Sequence, residues 1–130
     1  MSTVVSTPDA PHPSGSYSQG LLAGNLLFTA GMGPHDPTTG EVRGTSIEEQ
    51  TRHTLSNLDA VLTAAGMQRS DVVKVTAHLA RLEEDFASYD EVYRQFFEPP
   101  YPTRTTVGSV LSGILLEVDL IAVRRDESRG

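Results

Sequence analysis

The sequence predicts an α+β domain with two layers, in which two helices pack on one face of a mixed β-sheet. The chain of 130 residues has the length of one domain and can bury a substantial core. Two segments have the apolar spacing of amphipathic helices, and the segments around them are rich in β-branched residues or alternate between apolar and polar residues. The predicted order is β-β-α-β-α-β-β, and we assign residues 1–130 to a single domain.

The N-terminal third of the chain is predicted to contain the first strands. Residues 1–16 hold three prolines and four serines, which favours a loop, with a short edge strand at residues 3–6. Two β-prone runs follow at residues 17–23 and 26–30. The Gly24-Asn25 pair between them is typical of a tight hairpin turn.

Both predicted helices have recognisable sequence signals. Ser46 and Glu49 form a capping box, and apolar residues at helical spacing continue from residue 47 to residue 65, just before Gly66. The second helix is predicted at residues 84–97, where an aromatic stripe is interpreted as core packing. The aromatic residues of this stripe are Phe86, Tyr89, Tyr93, Phe96 and Phe97.

The strand predicted at residues 71–82 has two different faces. Its apolar residues alternate with Lys74, Thr76 and His78, which indicates one covered face and one face that is exposed or lines an interface. Because a single layer of helices covers only one side of a sheet, self-association through the open side is expected.

Residues 101–125 contain an arginine and a glutamate in unusual surroundings. Arg104 and Thr106 share one face of a predicted strand, and Glu117 and Asp119 share one face of the next. An arginine held on a strand can bind a carboxylate through two parallel hydrogen bonds. A carboxylate within an apolar run requires a partner. Ordinary ion pairs are the alternative interpretation of both residues.

Composition excludes several classes of function. Seventeen acidic residues against ten basic ones give a net charge of −7, which disfavours nucleic acids as partners. The absence of cysteine excludes disulfides, thiolate nucleophiles and cysteine metal sites. The four histidines show no metal-binding spacing, and we expect no metal. The chain shows neither a signal peptide nor a run of apolar residues long enough for a membrane span, so we expect a cytoplasmic protein that does not bind membranes.

A series of short segments occurs in a characteristic order between Ala10 and Arg125. They are Gly15-Ser16-Tyr17-Ser18-Gln19-Gly20, Phe28-Thr29-Ala30-Gly31, Pro37-x-Thr39-Gly40-Glu41-Val42, residues 50–58, Ala64-Ala65-Gly66, Asp71-Val72-Val73-Lys74, Asp85-Phe86-Ala87, Tyr93-x-x-Phe96-Phe97, Pro102-x-Arg104 and Leu116-Glu117-Val118. In these segments the chain resembles the Rid family of reactive-intermediate deaminases, also called the YjgF family.

The resemblance implies a chorismate-mutase-like fold and a homotrimer whose three sheets form a barrel, with pockets between subunits. It implies hydrolysis of small-molecule 2-imino or enamino acids, such as 2-iminopropanoate and 2-iminobutanoate, to 2-keto acids and ammonia without a cofactor. It places the arginine that binds the substrate carboxylate at Arg104, the glutamate that positions water at Glu117, and the pocket tyrosine at Tyr17.

Other positions match residues at or beside the family's ligand, and some depart from its pattern. The additional substrate-binding positions are Ala30, Gly31, Asp90 and Thr106. Ser16 stands where proline is usual, Thr106 replaces a cysteine, and Asp90 replaces a frequent asparagine. The turn at residues 108–113 is also shorter than in the best-known members. These departures leave pocket size and substrate open.

Three alternative functions follow from the same residues. The chain could be a binder of small carboxylates, or a chaperone-like trimer, without catalytic activity. It could instead be a deaminase of a larger, more specialised catabolic intermediate. Ribonuclease activity is the third alternative, and the net charge of −7 disfavours it.

Overall fold

The computed structural model describes residues 2–125, which contain six strands and two helices. The elements are β1 (Ser2–Val5), β2 (Gly20–Ala23), β3 (Leu26–Thr29), α1 (Ile47–Ala64), β4 (Val72–Leu79), α2 (Leu82–Phe96), β5 (Thr103–Gly108) and β6 (Leu116–Val123). One turn of 3₁₀-helix at Arg69–Asp71 precedes β4. The predicted order is therefore confirmed, and the short N-terminal edge strand is present.

The strands form one mixed sheet in the order β1-β2-β3-β6-β4-β5. Every neighbouring pair is antiparallel except β4 and β5, which are parallel. Although β5 and β6 are consecutive in the chain, β4 lies between them, so residues 109–115 cross over an intervening strand. Both helices pack on one face of this sheet, which confirms the predicted two-layer α+β fold.

The core lies between the helices and the central strands. Alternate residues of β4 and β6 face the helices and are almost fully buried: Val75, Ala77, Leu79, Leu116, Val118, Leu120 and Ala122. The matching residues of α1 are Leu55, Leu58, Val61 and Leu62. Removal of this apolar surface from water is the main stabilising contribution to the fold.

The predicted capping box begins α1. The Ser46 hydroxyl accepts a hydrogen bond from the Glu49 N–H (3.1 Å), and the Glu49 carboxylate accepts one from the Ser46 N–H (3.1 Å). Gly66 follows the end of the helix with a φ of 74°, a left-handed conformation that glycine adopts without strain. Two local sequence signals thus define both ends of this helix.

The boundary between β4 and α2 differs from the prediction. The strand expected at residues 71–82 ends at Leu79, and the helix expected from Glu84 begins at Leu82. The Asp85 N–H donates to the Arg81 carbonyl (2.9 Å), so the first helical turn begins within the region assigned to the strand. Apolar residues at this boundary suit either element, and tertiary packing decides between them.

Buried Gln19 holds the N-terminal loop against the sheet. Its Nε2 donates to the carbonyls of Thr7 (3.1 Å), Ala10 (3.2 Å) and Pro11 (2.8 Å), and its Oε1 accepts from the Thr7 N–H (2.7 Å). One side chain therefore satisfies four backbone groups in a segment without regular secondary structure.

Two buried amides on α1 fix other loops. Asn57 Nδ2 donates to the carbonyls of Gly33 (3.0 Å) and His35 (2.9 Å). Gln50 accepts from the Leu115 N–H (2.8 Å), which ties the crossover between β5 and β6 to the helix. These hydrogen bonds attach the loop at residues 33–35 and the crossover at Leu115 to α1.

We expect Gln19→Leu to lower the free energy of unfolding by about 2–4 kcal/mol, because it leaves four backbone groups without their partner. Urea denaturation followed by circular dichroism measures this change. Gln95→Leu, at an exposed position of α2, is the matched control and should change stability by less than about 0.5 kcal/mol. Equal effects of the two variants would contradict the assigned role of Gln19.

Candidate active site

The residues predicted to form the site fall on opposite faces of the sheet. Arg104 lies opposite Val75, which in turn lies opposite Leu120, and these two apolar residues are buried beneath the helices. Glu117 lies opposite His78 on the open face. Because cross-strand partners project to the same side of a sheet, Arg104 and Glu117 do not meet within one chain. Two half-sites are present.

The first half-site, the arginine cluster, consists of Arg104, Asp90, Phe86, Tyr89 and Tyr93. Arg104 Nη1 donates to Asp90 Oδ1 at 2.7 Å. The guanidinium carbon lies 4.5 Å from the Tyr93 ring centroid and 5.5–5.6 Å from those of Phe86 and Tyr89, within range of cation–π attraction. The prediction of core packing holds for Tyr89, Tyr93 and Phe97, which are buried, and for Phe96, which packs against the core. Phe86 is instead exposed, and the two tyrosines also lie beside the cation.

Within the arginine cluster, Arg104 itself is permanently charged. Burial opposes the charge of Arg104, but the hydrogen bond to Asp90 and the nearby tyrosines raise its pKa overall. Burial also raises the pKa of Tyr89 and of Tyr93, so both phenols stay protonated at neutral pH. This half-site therefore offers a cation and neutral hydroxyl groups.

Three buried hydroxyls beside Arg104 have no hydrogen-bond partner within residues 2–125. They belong to Tyr89, Tyr93 and Thr106. Buried polar atoms are rarely left unpaired in folded proteins, because each loses its hydration without compensation. Such atoms next to a cation indicate a place for a polar ligand.

An open cavity of about 380 Å³ gives access to the arginine cluster. Its lining residues are Asp90, Tyr93, Arg94, Tyr101, Pro102 and Arg104. A second arginine, Arg94, lies at the rim, where its Nε is 3.8 Å from Asp90 Oδ2. Both oxygens of the aspartate thus face an arginine, at very different distances.

The second half-site, the glutamate cleft, has a volume of about 360 Å³ and includes Tyr17, Gly31 and Glu117. Tyr17 does not begin a strand as predicted, because β2 starts at Gly20 and the tyrosine belongs to the preceding loop. Its ring is half exposed, and its hydroxyl accepts from the Ser14 N–H (3.1 Å). This bond holds the phenol at the mouth of the cleft.

Gly31 makes room for the carboxylate of Glu117. A Cβ at position 31 would lie 2.8 Å from Glu117 Oε2 and 2.9 Å from its Cδ. The neighbouring Ala30, predicted to contact substrate, lies beside the cleft with its N–H donating to the Gln19 carbonyl (2.9 Å). The close contact with Glu117 explains why glycine occupies position 31.

Two histidines, His12 and His35, line the glutamate cleft, although the sequence predicted no role for them. Their spacing in the chain does not indicate a metal site. Their positions near the segments containing Tyr17 and Gly31 could have identified them. Within residues 2–125 no group of three or more metal-ligating side chains lies close enough together to hold a metal ion.

The open face beside Glu117 carries a row of charged and polar groups. His78 Nδ1 and the Ser109 hydroxyl are 2.7 Å apart. Burial raises the pKa of Asp119, His78 and Lys74 oppose that rise, and Glu117 adds to it. Asp119 lies opposite Thr76, two residues from Glu117 on the same strand, so the prediction that the two carboxylates share a face is confirmed.

We expect Gly31→Ala to displace the Glu117 carboxylate by about 1 Å or more, while the free energy of unfolding changes by less than about 1 kcal/mol. The nearest atom to the new methyl group is the end of a flexible side chain, which can move at low cost. A crystal structure of the variant and a urea denaturation curve measure the two quantities. An unmoved carboxylate, or strong destabilisation, would contradict this account.

A family model described as Endoribonuclease L-PSP matches residues 7–124. A RutC family protein of Pyrococcus horikoshii is 43% identical over 126 residues, covering 95% of this chain and 99% of its own. None of the helices in the described residues is long and apolar enough to cross a membrane.

Two relatives from Escherichia coli resemble the chain in sequence and in structure. The protein TdcF, whose name assigns it provisionally to the reactive intermediate deaminases, is 38% identical over 129 residues, covering 95% of this chain and 98% of its own. Its structure with bound serine superposes with a TM-score of 0.87, at 38% identity and with 95% and 99% of the two chains covered. The structure of the YjgF gene product gives a TM-score of 0.86 at 36% identity, with 95% and 99% covered.

The family match over nearly the whole chain, the identities above 35% and the shared fold agree with one another. The chain belongs to the L-PSP endoribonuclease family, which is the Rid or YjgF family.

Proposed function

We propose that the protein hydrolyses 2-imino and enamino acids to 2-keto acids and ammonia, at a site formed between two copies of the chain. The observation that carries this proposal is the division of polar groups between the two half-sites. The arginine cluster can bind a carboxylate, and the glutamate cleft offers a carboxylate and a phenol to the reacting carbon. Membership of a family that includes named deaminases supports the assignment.

The assembly that unites the half-sites is proposed to be a homotrimer. An apolar row crosses the open face of the sheet, where Val4, Leu21, Phe28 and Ile121 are successive cross-strand neighbours. Val4 is 62% exposed and Phe28 is 42% exposed. Contact with another copy removes this surface from water and brings the Arg104 of one chain towards the Glu117 of another.

The proposed mechanism uses positioning and proton transfer alone. Arg104 holds the substrate carboxylate and so orients carbon 2. Glu117 accepts a proton from a water molecule whose oxygen bonds to carbon 2 of the protonated imine, and the electrons of the carbon–nitrogen double bond move to the nitrogen, which gives a neutral carbinolamine. Glu117 then passes this proton to the nitrogen, and the carbon–nitrogen bond breaks. Ammonia leaves as the carbonyl forms, and the hydroxyl proton returns to Glu117, from which ammonia or solvent removes it. The hydroxyl of Tyr17 lies at the mouth of the cleft, where it can hydrogen-bond the substrate.

The description of the family model also raises ribonuclease activity as a second candidate. A net charge of −7 opposes approach of an RNA backbone. The proposal therefore includes no nucleic-acid partner. Cleavage of a labelled RNA that persists after purification of the protein in high salt would contradict this part.

A trapping assay tests the deaminase activity. A threonine dehydratase generates 2-iminobutanoate, and semicarbazide traps the imine that is not hydrolysed. We expect the wild-type protein to reduce semicarbazone formation, and Arg104→Ala or Glu117→Ala to lower the rate of hydrolysis by at least about 100-fold, because each removes a positioning or proton-transfer group. Arg52→Ala and Glu91→Ala, at exposed positions of the helices, are the matched controls. An inert wild-type protein, or full activity of Arg104→Ala, would overturn the assignment.

Subunit complementation tests the shared site. Arg104→Ala and Glu117→Ala chains with different affinity tags are coexpressed, and mixed oligomers are isolated by successive purification on both tags. We expect activity to return to roughly a third of the wild-type value per site, since every mixed trimer, whichever chain is in excess, contains one intact Arg104–Glu117 pair among its three sites. Light scattering gives the number of subunits. Mixed oligomers as inactive as the single variants would show that the site is not shared.

A further inference from the structure

We propose that Asp90 makes the arginine cluster selective for ligands that carry both a carboxylate and a cationic nitrogen, and disfavours carboxylates without that nitrogen. The aspartate accepts the 2.7 Å hydrogen bond from Arg104 and lines the same cavity. This inference rests on the proposed function for its consequence in catalysis, but the selectivity itself is a property of binding.

Asp90 and Arg104 form a close ion pair. The two side chains are 26% and 23% exposed, so their interaction is only partly screened by water. Their charges cancel, and a carboxylate that binds the remaining donors of Arg104 therefore comes close to a second negative charge. A ligand with only a carboxylate binds against this repulsion.

Asp90 has a second carboxylate oxygen that can bind another cation. Its Oδ1 accepts from Arg104, whereas its Oδ2 is 3.8 Å from Nε of Arg94, too far for a hydrogen bond. The Arg94 side chain is 58% exposed and so only weakly held. A protonated nitrogen on the ligand can thus donate to Oδ2 while the ligand carboxylate binds Arg104.

The residues that line the cavity add no further negative charge, and Arg94 adds a positive charge at its rim. The cavity wall contributes Tyr93, Tyr101 and Pro102 as well as the two arginines. Tyr89 and Thr106 do not line this cavity, and their hydroxyls are buried. Asp90 is therefore the group that responds to the charge of the ligand nitrogen.

For the proposed reaction, the selectivity separates substrate from product. A protonated 2-imino acid has a carboxylate and a cationic nitrogen and satisfies both members of the pair. The 2-keto acid retains only the carboxylate, so its formation removes the attraction to Asp90 and restores the repulsion. Product release is favoured by the same residue that favours substrate binding.

Binding of two probes of nearly equal shape tests the inference. L-Alanine and L-lactate differ at carbon 2 by an ammonium group in place of a hydroxyl. We expect calorimetric titration of the assembled wild-type protein to show L-alanine binding at least about tenfold more tightly than L-lactate. In Asp90→Asn, which keeps an acceptor for Arg104, the ratio should fall to within about threefold, partly because L-lactate binds more tightly. Glu91→Gln removes a neighbouring exposed carboxylate and should leave the ratio at its wild-type value.

Three results would overturn the inference: no measurable binding of L-alanine, a wild-type preference for L-lactate, or an unchanged ratio in Asp90→Asn. Thermal unfolding of each variant confirms that it is folded. If imines are hydrolysed but the ratio does not change, only the selectivity is wrong. If the ratio changes but no imine is hydrolysed, the proposed function fails and the selectivity remains.

Discussion

The antiparallel pairing of β4 with β6 is the constraint on which the rest of the structure depends. β6 alternates throughout and β4 alternates from Val75 onwards, after an irregularity between Val72 and Lys74. Their inward residues from Val75 to Leu79 and from Leu116 to Ala122 are almost fully buried beneath the helices. A shift of one residue would place the charged positions in the core, so the register is strongly determined. The same register places Glu117 opposite His78 on the open face.

Loops supply much of the glutamate cleft, and a few buried side chains hold these loops to the core. Gln19 attaches the N-terminal segment, and Asn57 attaches the segment around Gly33. Such amides are effective because one side chain satisfies several backbone groups that water cannot reach. These hydrogen bonds attach the walls of the cleft to the core, although the walls lack regular secondary structure.

The aromatic face of α2 stabilises the fold and also creates the environment of Arg104. Its tyrosines contribute buried apolar area, and their rings also lie within cation–π range of the Arg104 guanidinium. Asp90 on the same helix completes this environment with a full negative charge. Asp90 therefore sets the charge around Arg104 from the same helix whose tyrosines contribute to the core.

The sequence by itself determined the features that depend on local interactions. The capping box at Ser46, the helical stripes, the turn at Gly24 and the alternation of the strands are visible in residue types and spacing, because neighbouring residues produce them. The residue pattern also singled out Arg104 and Glu117, and resemblance to a family gave them their expected roles. Only the tertiary structure decided that β4 separates the strands of these two residues, that they face opposite sides of the sheet, and that Asp90 binds the arginine. These features arise from contacts between distant segments, for which the spacing of residues along the chain contains no signal.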